Sequence, residues 1–254
     1  MRVGFAGSGN MAAALARGWA AGEGGPDAML FCDLDAERAR SLAADVGGET
    51  RASLAELARD ADVVVLAVKP AALDEVAREL GDKASALISV LAATTTGRLA
   101  EAFPGVPALR VMPNQPVEVR RGVLCYPPPS EMTGDLLAAL LELLGLLGTL
   151  VPLEEGLIDP AMAVMSSSPA YIALVAEALA RAGEREGLDP RISGELVARA
   201  LAGTAELLLK KDPGTIRDAV ASPGGATEAG LSHLEGVVEH AFASAVTASL
   251  ERFR

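Results

Sequence analysis

The chain is poor in the residues on which several chemistries depend. Its 254 residues include two cysteines and two histidines. Cys32 and Cys125 lie far apart in the sequence and give neither a disulfide framework nor a metal-ligand spacing. Cys32 ends one apolar run and Cys125 lies inside another, where buried thiols are expected. His233 and His240 are seven apart, with no cysteine or carboxylate at ligand spacing, so no metal is expected. Positive charge is also short: 22 Lys and Arg against 34 Asp and Glu leave a formal net charge of −12. That balance disfavours nucleic acid and anionic membrane surfaces as partners, and the Arg120-Arg121 pair reads as solvated. No basic-apolar-small segment opens the chain, and no stretch of about 18 uncharged apolar residues occurs, so a cytoplasmic protein without a membrane span is the expectation.

What is present suits a soluble enzyme. Half of the residues are hydrophobic, ample for a core in one large domain or two modest ones. The N-terminus runs from a short apolar strand into Gly7-Ser8-Gly9-Asn10-Met11-Ala12, a Gly-x-Gly-x-x-Ala turn, and on into a helical stretch, Ala12–Ala21. The order is that of a dinucleotide-binding turn: Gly7 for the tight turn, Gly9 for close approach of a pyrophosphate, Ala12 for close helix-strand packing. A second apolar run, Ala28–Cys32, ends in Asp33, about 20 residues on, where a carboxylate reaches a ribose 2′-hydroxyl. A helix-capping role for Asp33 is the plainer alternative, and Asp35 suits that role equally.

The pattern changes near residue 152. Before it, strand-length apolar runs at Arg2–Ala6, Ala28–Cys32, Val63–Val68, Ala86–Val90, Ala108–Met112, Gly122–Tyr126 and Leu150–Val151 alternate with helical segments, which predicts parallel βαβ units with helices on both faces. Leu136–Leu150 reads as a core helix, since no heptad is sustained. Ala92–Thr96 follows a strand and fits a helix N-cap. After Pro152 the strand signals stop, and Ala161–Gly183, Ile192–Lys211 and Ala229–Phe253 read as long helices separated by Gly187-Leu188-Asp189-Pro190 and Asp212-Pro213-Gly214. The expected fold is α/β: a Rossmann-type dinucleotide-binding domain, residues 1–152, followed by an all-α domain, residues 153–254. The helical domain is small enough that its apolar faces need a partner subunit for cover.

Within the helical half, Ser222-Pro223-Gly224-Gly225-Ala226-Thr227 combines a capping serine, a proline suited to the first helical position, and two glycines that leave backbone N–H groups unshielded. Such a turn holds a small carboxylate. An ordinary capped helix is the alternative reading of this segment alone.

Five separated segments together resemble the pyrroline-5-carboxylate reductase family over essentially the whole length. They are Gly7–Ala12, Leu66-Ala67-Val68-Lys69-Pro70, Arg110-Val111-Met112-Pro113-Asn114, Pro169-Ala170-Tyr171 and Ser222–Thr227. The resemblance implies hydride transfer from a reduced nicotinamide to the C=N carbon of a cyclic imine carboxylate, giving proline. It implies that Gly7, Ser8, Gly9, Asn10, Met11 and Asp33 bind the cofactor and that Ala67, Val68, Lys69 and Pro70 line the nicotinamide. Ser222, Gly224, Gly225 and Ala226 would hold the substrate carboxylate, Asn114 would lie near the pocket, and the Thr227 hydroxyl would bond the ring nitrogen. The helical domain would pair with its twin, as a homodimer or a higher oligomer of dimers, with each pocket between subunits.

Three positions depart from the family pattern. Met165-Ser166-Ser167-Ser168 stands where two glycines are usual, and Gln115 replaces a threonine. Asp33-Leu34 replaces an Asn-Arg pair suited to a 2′-phosphate; a carboxylate repels that phosphate, so NADH is the expected cofactor in preference to NADPH. Reduction of another cyclic imine or keto substrate, and a regulatory nucleotide-binding role without turnover, remain as alternatives.

Overall fold

The structure, a computed structural model, describes residues 1–129 and 132–252. It divides into two compact units, Met1–Ser167 and Ser168–Arg252. The first unit opens with β1 (Arg2–Ala6), α1 (Asn10–Ala20), β2 (Ala28–Cys32), α2 (Ala36–Val46), β3 (Glu49–Thr50), α3 (Leu54–Asp60) and β4 (Val63–Leu66). It continues through α4 (Leu73–Leu80), β5 (Leu87–Ser89), α5 (Thr96–Ala102), β6 (Ala108–Arg110), β7 (Met112–Pro113), β8 (Gly122–Tyr126), α6 (Gly134–Gly145) and β9 (Gly148–Pro152). It closes on a short helix α7 (Ile158–Ala161) and a π turn, Met162–Ser166.

Six strands form a parallel sheet in the order β3-β2-β1-β4-β5-β6. Helices cover both faces, so the inner strands are apolar without alternation, as at Val63–Leu66, where all four residues are buried. Side chains of period two then feed two separate cores. Phe5, Phe31, Val63, Val65 and Ile88 pack on one face with Trp19 and the leucines of α6. Ala6, Leu30, Val64, Leu66 and Leu87 pack on the other with Leu57, Val76 and Leu99. Phe5 stacks on Phe31 at a centroid distance of 4.9 Å, and the indole of Trp19 donates to the Leu143 carbonyl at 2.9 Å.

Several sequence expectations are corrected here. The run Ala108–Met112 is not one strand. Val111 still donates to Ser89 at 2.8 Å, but Pro113 has no N–H to continue a ladder. The chain leaves the large sheet there, and β7 pairs antiparallel with β8 in a second sheet, β7-β8-β9. The arrangement is therefore not parallel throughout. Leu136–Leu150 spans most of α6, the connection Leu146-Leu147 and the start of β9, not a single helix. Arg120 is not simply solvated: with φ of +58° it donates through Nε to the Leu146 carbonyl at 2.8 Å.

The second unit holds α8 (Ser168–Arg185), α9 (Pro190–Leu208), α10 (Pro213–Val220), α11 (Ala226–Leu231) and α12 (Val237–Glu251). Asp189 and Asp212 each accept from two backbone N–H groups and start α9 and α10, with a proline at the first turn of each. Asp212-Pro213-Gly214 thus opens a helix where a separator was expected. The segment read as one helix, Ala229–Phe253, is two, broken before Gly236, whose φ is +77°; Phe253 lies outside the described residues. Among the described residues, only Ser193 and Val197 of α8–α12 are buried. Ile172, Val175, Leu179, Leu196 and Phe242 are exposed in the single chain. The helical stretch Glu155–Arg185 is long and apolar enough, by length and composition, to cross a membrane, and 11% of its most apolar window is buried.

Candidate active site

The glycine turn after β1 sits where the sheet order reverses. β1 and β4 are neighbours whose onward connections run to opposite edges, and ligands of open α/β sheets bind outside the carboxyl ends of such a pair. Gly7 has φ of +97°, and a Cβ on it would lie 2.7 Å from the Ala67 carbonyl oxygen. Only glycine fits. Gly9 caps α1 without any side-chain hydrogen bond, and the first turn of α1, which begins with Asn10 and Met11, carries no acidic residue. A Cβ at Gly9 would meet nothing within 4 Å. By contrast, α2 and α3 are capped by Asp35 and Ser53. The bare N-terminus of α1 and the buried, unpartnered Ser8 hydroxyl fit an anion such as a pyrophosphate.

Asp35 is the acid that caps α2, accepting from Glu37 and Arg38 N–H groups at 3.1 and 3.2 Å. Asp33 does something else: its carboxylate accepts from the Ser8 N–H at 2.6 Å and from the Asp35 N–H at 2.9 Å. The end of β2 is thereby tied to the glycine turn. Arg38 approaches Asp33 to 3.9 Å, and Leu34 beside it is 97% exposed. On the other side of the switch point, Ala67 and Val68 are half-buried at the end of β4, and Lys69 and Pro70 are exposed.

The segment Arg110–Asn114 leaves β6 with alternate residues facing one helical stretch. Asn114 is buried, with both ends of its amide bonded to backbone: Oδ1 accepts from Val123 N–H at 2.8 Å and Nδ2 donates to the Met165 carbonyl at 3.2 Å. Met112 packs with Ile158 and Met162. Gln115, beyond it, is exposed and donates to Glu118 at 3.0 Å. Ser166, one of the residues in place of the usual glycines, donates to the Pro113 carbonyl at 3.1 Å.

Sequence reasoning missed Arg110. Its side chain is 1% exposed and pairs with Glu155 and, at 2.9 Å, with Asp159. Glu155 also accepts from the Thr96 N–H at 3.2 Å and the Thr96 hydroxyl at 2.6 Å. Burial works against the charge on Glu155, but the bonds from Thr96 and Arg110 outweigh it and hold this carboxyl below the usual carboxylate range. The signal was one arginine inside the apolar run Ala108–Met112, a charge that must find partners if the strand is buried.

In the second unit the Ser222–Thr227 turn is exposed except at Gly225, which is half-buried. Ser222 is not the N-cap and Pro223 is not the first helical residue. Gly224 takes the left-handed conformation at φ of +73°, and Gly225 N–H closes a turn onto the Ser222 carbonyl at 2.9 Å. The helix is delayed by three residues, so Gly225 becomes the cap of α11, without side-chain help. Thr227 is the second residue of α11, and Glu228 accepts from the Gly224 N–H at 2.7 Å. The Cys32 and Cys125 thiols are buried, and burial pushes both upward in pKa.

Comparison with known proteins gives the following. The family model for pyrroline-5-carboxylate reductase dimerisation matches residues 155–254, and that for NADP oxidoreductase, coenzyme F420-dependent, matches residues 2–93. A pyrroline-5-carboxylate reductase of Synechocystis is 38% identical over 184 residues, 71% of this chain and 69% of that one. One from Thermus thermophilus is 35% identical over 259 residues, 99% of this chain and 97% of that one. The solved structure of a Plasmodium falciparum pyrroline carboxylate reductase with NADP bound has a TM-score of 0.88 at 28% identity, covering 100% of this chain and 97% of that one.

Proposed function

The chain belongs to the pyrroline-5-carboxylate reductase family, and we propose that it reduces 1-pyrroline-5-carboxylate to L-proline, the last step of proline synthesis. The observation that carries this reading is the Ser222–Thr227 turn, where Gly224 is left-handed and Gly225 starts α11 without a side-chain cap, so that a small carboxylate would take the helix-start N–H groups and replace Glu228 at the Gly224 N–H. Residues 1–152 act as the dinucleotide-binding domain and 153–254 as the dimerisation and substrate domain. The bare start of α1 and the turn Gly7–Met11 receive the pyrophosphate, and Ala67–Pro70 line the nicotinamide. When bound, the reduced nicotinamide supplies the hydride. Ser222, Gly224, Gly225 and Ala226 orient the carboxylate, and the Thr227 hydroxyl bonds the ring nitrogen. The imine enters protonated on nitrogen and, on accepting hydride at carbon, leaves as the secondary amine, so the protein needs no nucleophile. Its contribution is to orient the ring and exclude water.

NADH is the preferred cofactor. Asp33 is the carboxylate at the end of β2, beside the glycine turn, that would accept from the ribose hydroxyls, and Leu34 offers no charge to a 2′-phosphate. The Plasmodium falciparum protein was solved with NADP, so this preference belongs to the residues at the end of β2, not to the family. The exposed apolar faces of α8, α9 and α12 are covered by a second copy, consistent with the dimerisation model over residues 155–254. A cytoplasmic homodimer, or an oligomer of such dimers, with no nucleic-acid or membrane partner, is the form proposed.

A second reading, reduction of another cyclic imine or a keto substrate, is favoured by one observation: Ser166 stands where the family has glycine and bonds Pro113. Initial rates of NADH oxidation across a panel of cyclic imines and keto acids separate the two. The highest kcat/KM should belong to pyrroline-5-carboxylate; a higher value for another imine or a keto acid would favour the second reading. Binding of NADH without oxidation of it by any substrate would point to a regulator.

A further inference from the structure

The ion cluster on Arg110 closes a triangle that packing alone does not require. Its corners are the end of β6, where Arg110 sits; the start of α5, where Thr96 sits; and the helical stretch that carries Glu155 and Asp159. α5 already has a cap of its own, since the Thr95 hydroxyl accepts from the Arg98 N–H at 3.1 Å. Of the two bonds from Thr96 to Glu155, the one from the N–H satisfies a second orphan donor of α5 and the one from the hydroxyl goes beyond capping; both reach 59 residues along the chain.

What they restrain is the connection from β5 to α5. In it Ala93 holds φ of +53°, a conformation that a residue with a Cβ keeps only when its surroundings impose it. The Thr94 hydroxyl donates to the Ala92 carbonyl at 3.2 Å within that turn. β5 lies beside β4 in the half of the sheet beyond the switch point, so this connection emerges at the carboxyl edge where the nicotinamide half of a dinucleotide lies.

We propose that Glu155 and Arg110 are positioning residues for hydride transfer: Glu155, held by Arg110, fixes Thr96 and so the left-handed turn at Ala93 that floors the nicotinamide. This rests on the reading of the chain as a nicotinamide-dependent imine reductase. Arg110 serves as the fixed point because it is buried and bound to β6, whereas Glu155 alone, on a short helical turn, would be free to swing. Asp159 occupies the second branch of the guanidinium and keeps its plane facing Glu155.

The test uses the full-length protein. Thr96→Val removes the hydroxyl bond to Glu155 at nearly constant shape, Thr96→Ser restores it, and Glu155→Gln removes the charge. At a temperature where circular dichroism shows every variant folded, kcat should fall about 5- to 20-fold in Thr96→Val and Glu155→Gln. KM for the imine should stay within roughly two-fold, and Thr96→Ser should recover most of the loss. A role confined to stability would lower the melting temperature and leave kcat of the folded enzyme unchanged. That result overturns the proposal, as does a loss in KM alone. Nicotinamide fluorescence of bound NADH reports the same turn without any imine, and Thr96→Val should weaken the emission gained on binding; unchanged emission also overturns it. If the wild type fails to reduce pyrroline-5-carboxylate, the functional reading fails, and the emission measurement still decides this inference.

Discussion

Replacing Gly224 by alanine perturbs the turn proposed to hold the substrate carboxylate and leaves the dinucleotide turn untouched. A Cβ at this position would meet no atom within 4 Å, so the variant introduces no clash. Its cost is conformational: φ is +73°, and a residue with a Cβ in the left-handed region is less favourable than glycine by roughly 1–2 kcal/mol. At about 1.4 kcal/mol per tenfold, the population of the closed turn falls about 5- to 30-fold at most. If only the closed turn binds the carboxylate, the apparent affinity falls by that same fraction. KM for pyrroline-5-carboxylate should therefore rise by up to that factor while kcat at saturation changes little. Gly225 fails for a different reason: its backbone is ordinary, but a Cβ would lie 2.7 Å from the Ser222 hydroxyl and 2.9 Å from the Ser222 carbonyl oxygen. Gly225→Val must open the turn and should raise KM further. Steady-state kinetics, with NADH binding followed by fluorescence, measures both. An unchanged KM in Gly224→Ala, or a parallel loss of NADH affinity in either variant, would refute the assignment of this turn to the substrate.

Thr227→Ala should lower kcat/KM by roughly 10- to 100-fold without abolishing it, and Thr227→Ser should keep much of the activity, as befits a hydroxyl that positions a ring nitrogen; a covalent adduct trapped at Thr227 would contradict this role. Asp33→Asn with Leu34→Arg should shift preference toward NADPH, whereas the wild type should show the higher kcat/KM with NADH. Light scattering at micromolar concentration should give a dimer or a multiple of one, and a fully active monomer would remove the second copy from the pocket. Glu155 is held below the usual carboxylate range, so its contribution to stability is complete at neutral pH and is lost as pH falls through the folded-state value. Melting temperature against pH should accordingly decline less steeply on acidification in Glu155→Gln than in the wild type.

The legible parts of this fold were those in which local pattern and final environment agree. β1, β2 and β8 occupy the stretches expected of them, because strands buried on both faces leave unbroken apolar runs. β3 left no trace, being two exposed residues that pair with Leu30 and Phe31. The β6–β7 break was hidden because Val111 keeps the run apolar while the chain changes partners around it. In the helical half, the break between α11 and α12 depends on Gly236 adopting a positive φ, and a single glycine is also tolerated inside a helix. At the sites, the glycine turn and Asp33 were legible as a motif. The correct cap of α11 was not, because Ser-Pro imitates a helix start and the left-handed Gly224 delays the real one. The Arg110 cluster joins residues far apart in sequence, and no local pattern announces a pair of that kind.

The most direct test is conversion of 1-pyrroline-5-carboxylate by the purified wild-type protein, with NADH oxidation followed at 340 nm in the same sample from which the product is resolved by chiral chromatography. The family assignment and the geometry of the two turns predict one L-proline formed per NADH oxidised. NADH bound but not consumed, or consumed without L-proline appearing, would contradict them.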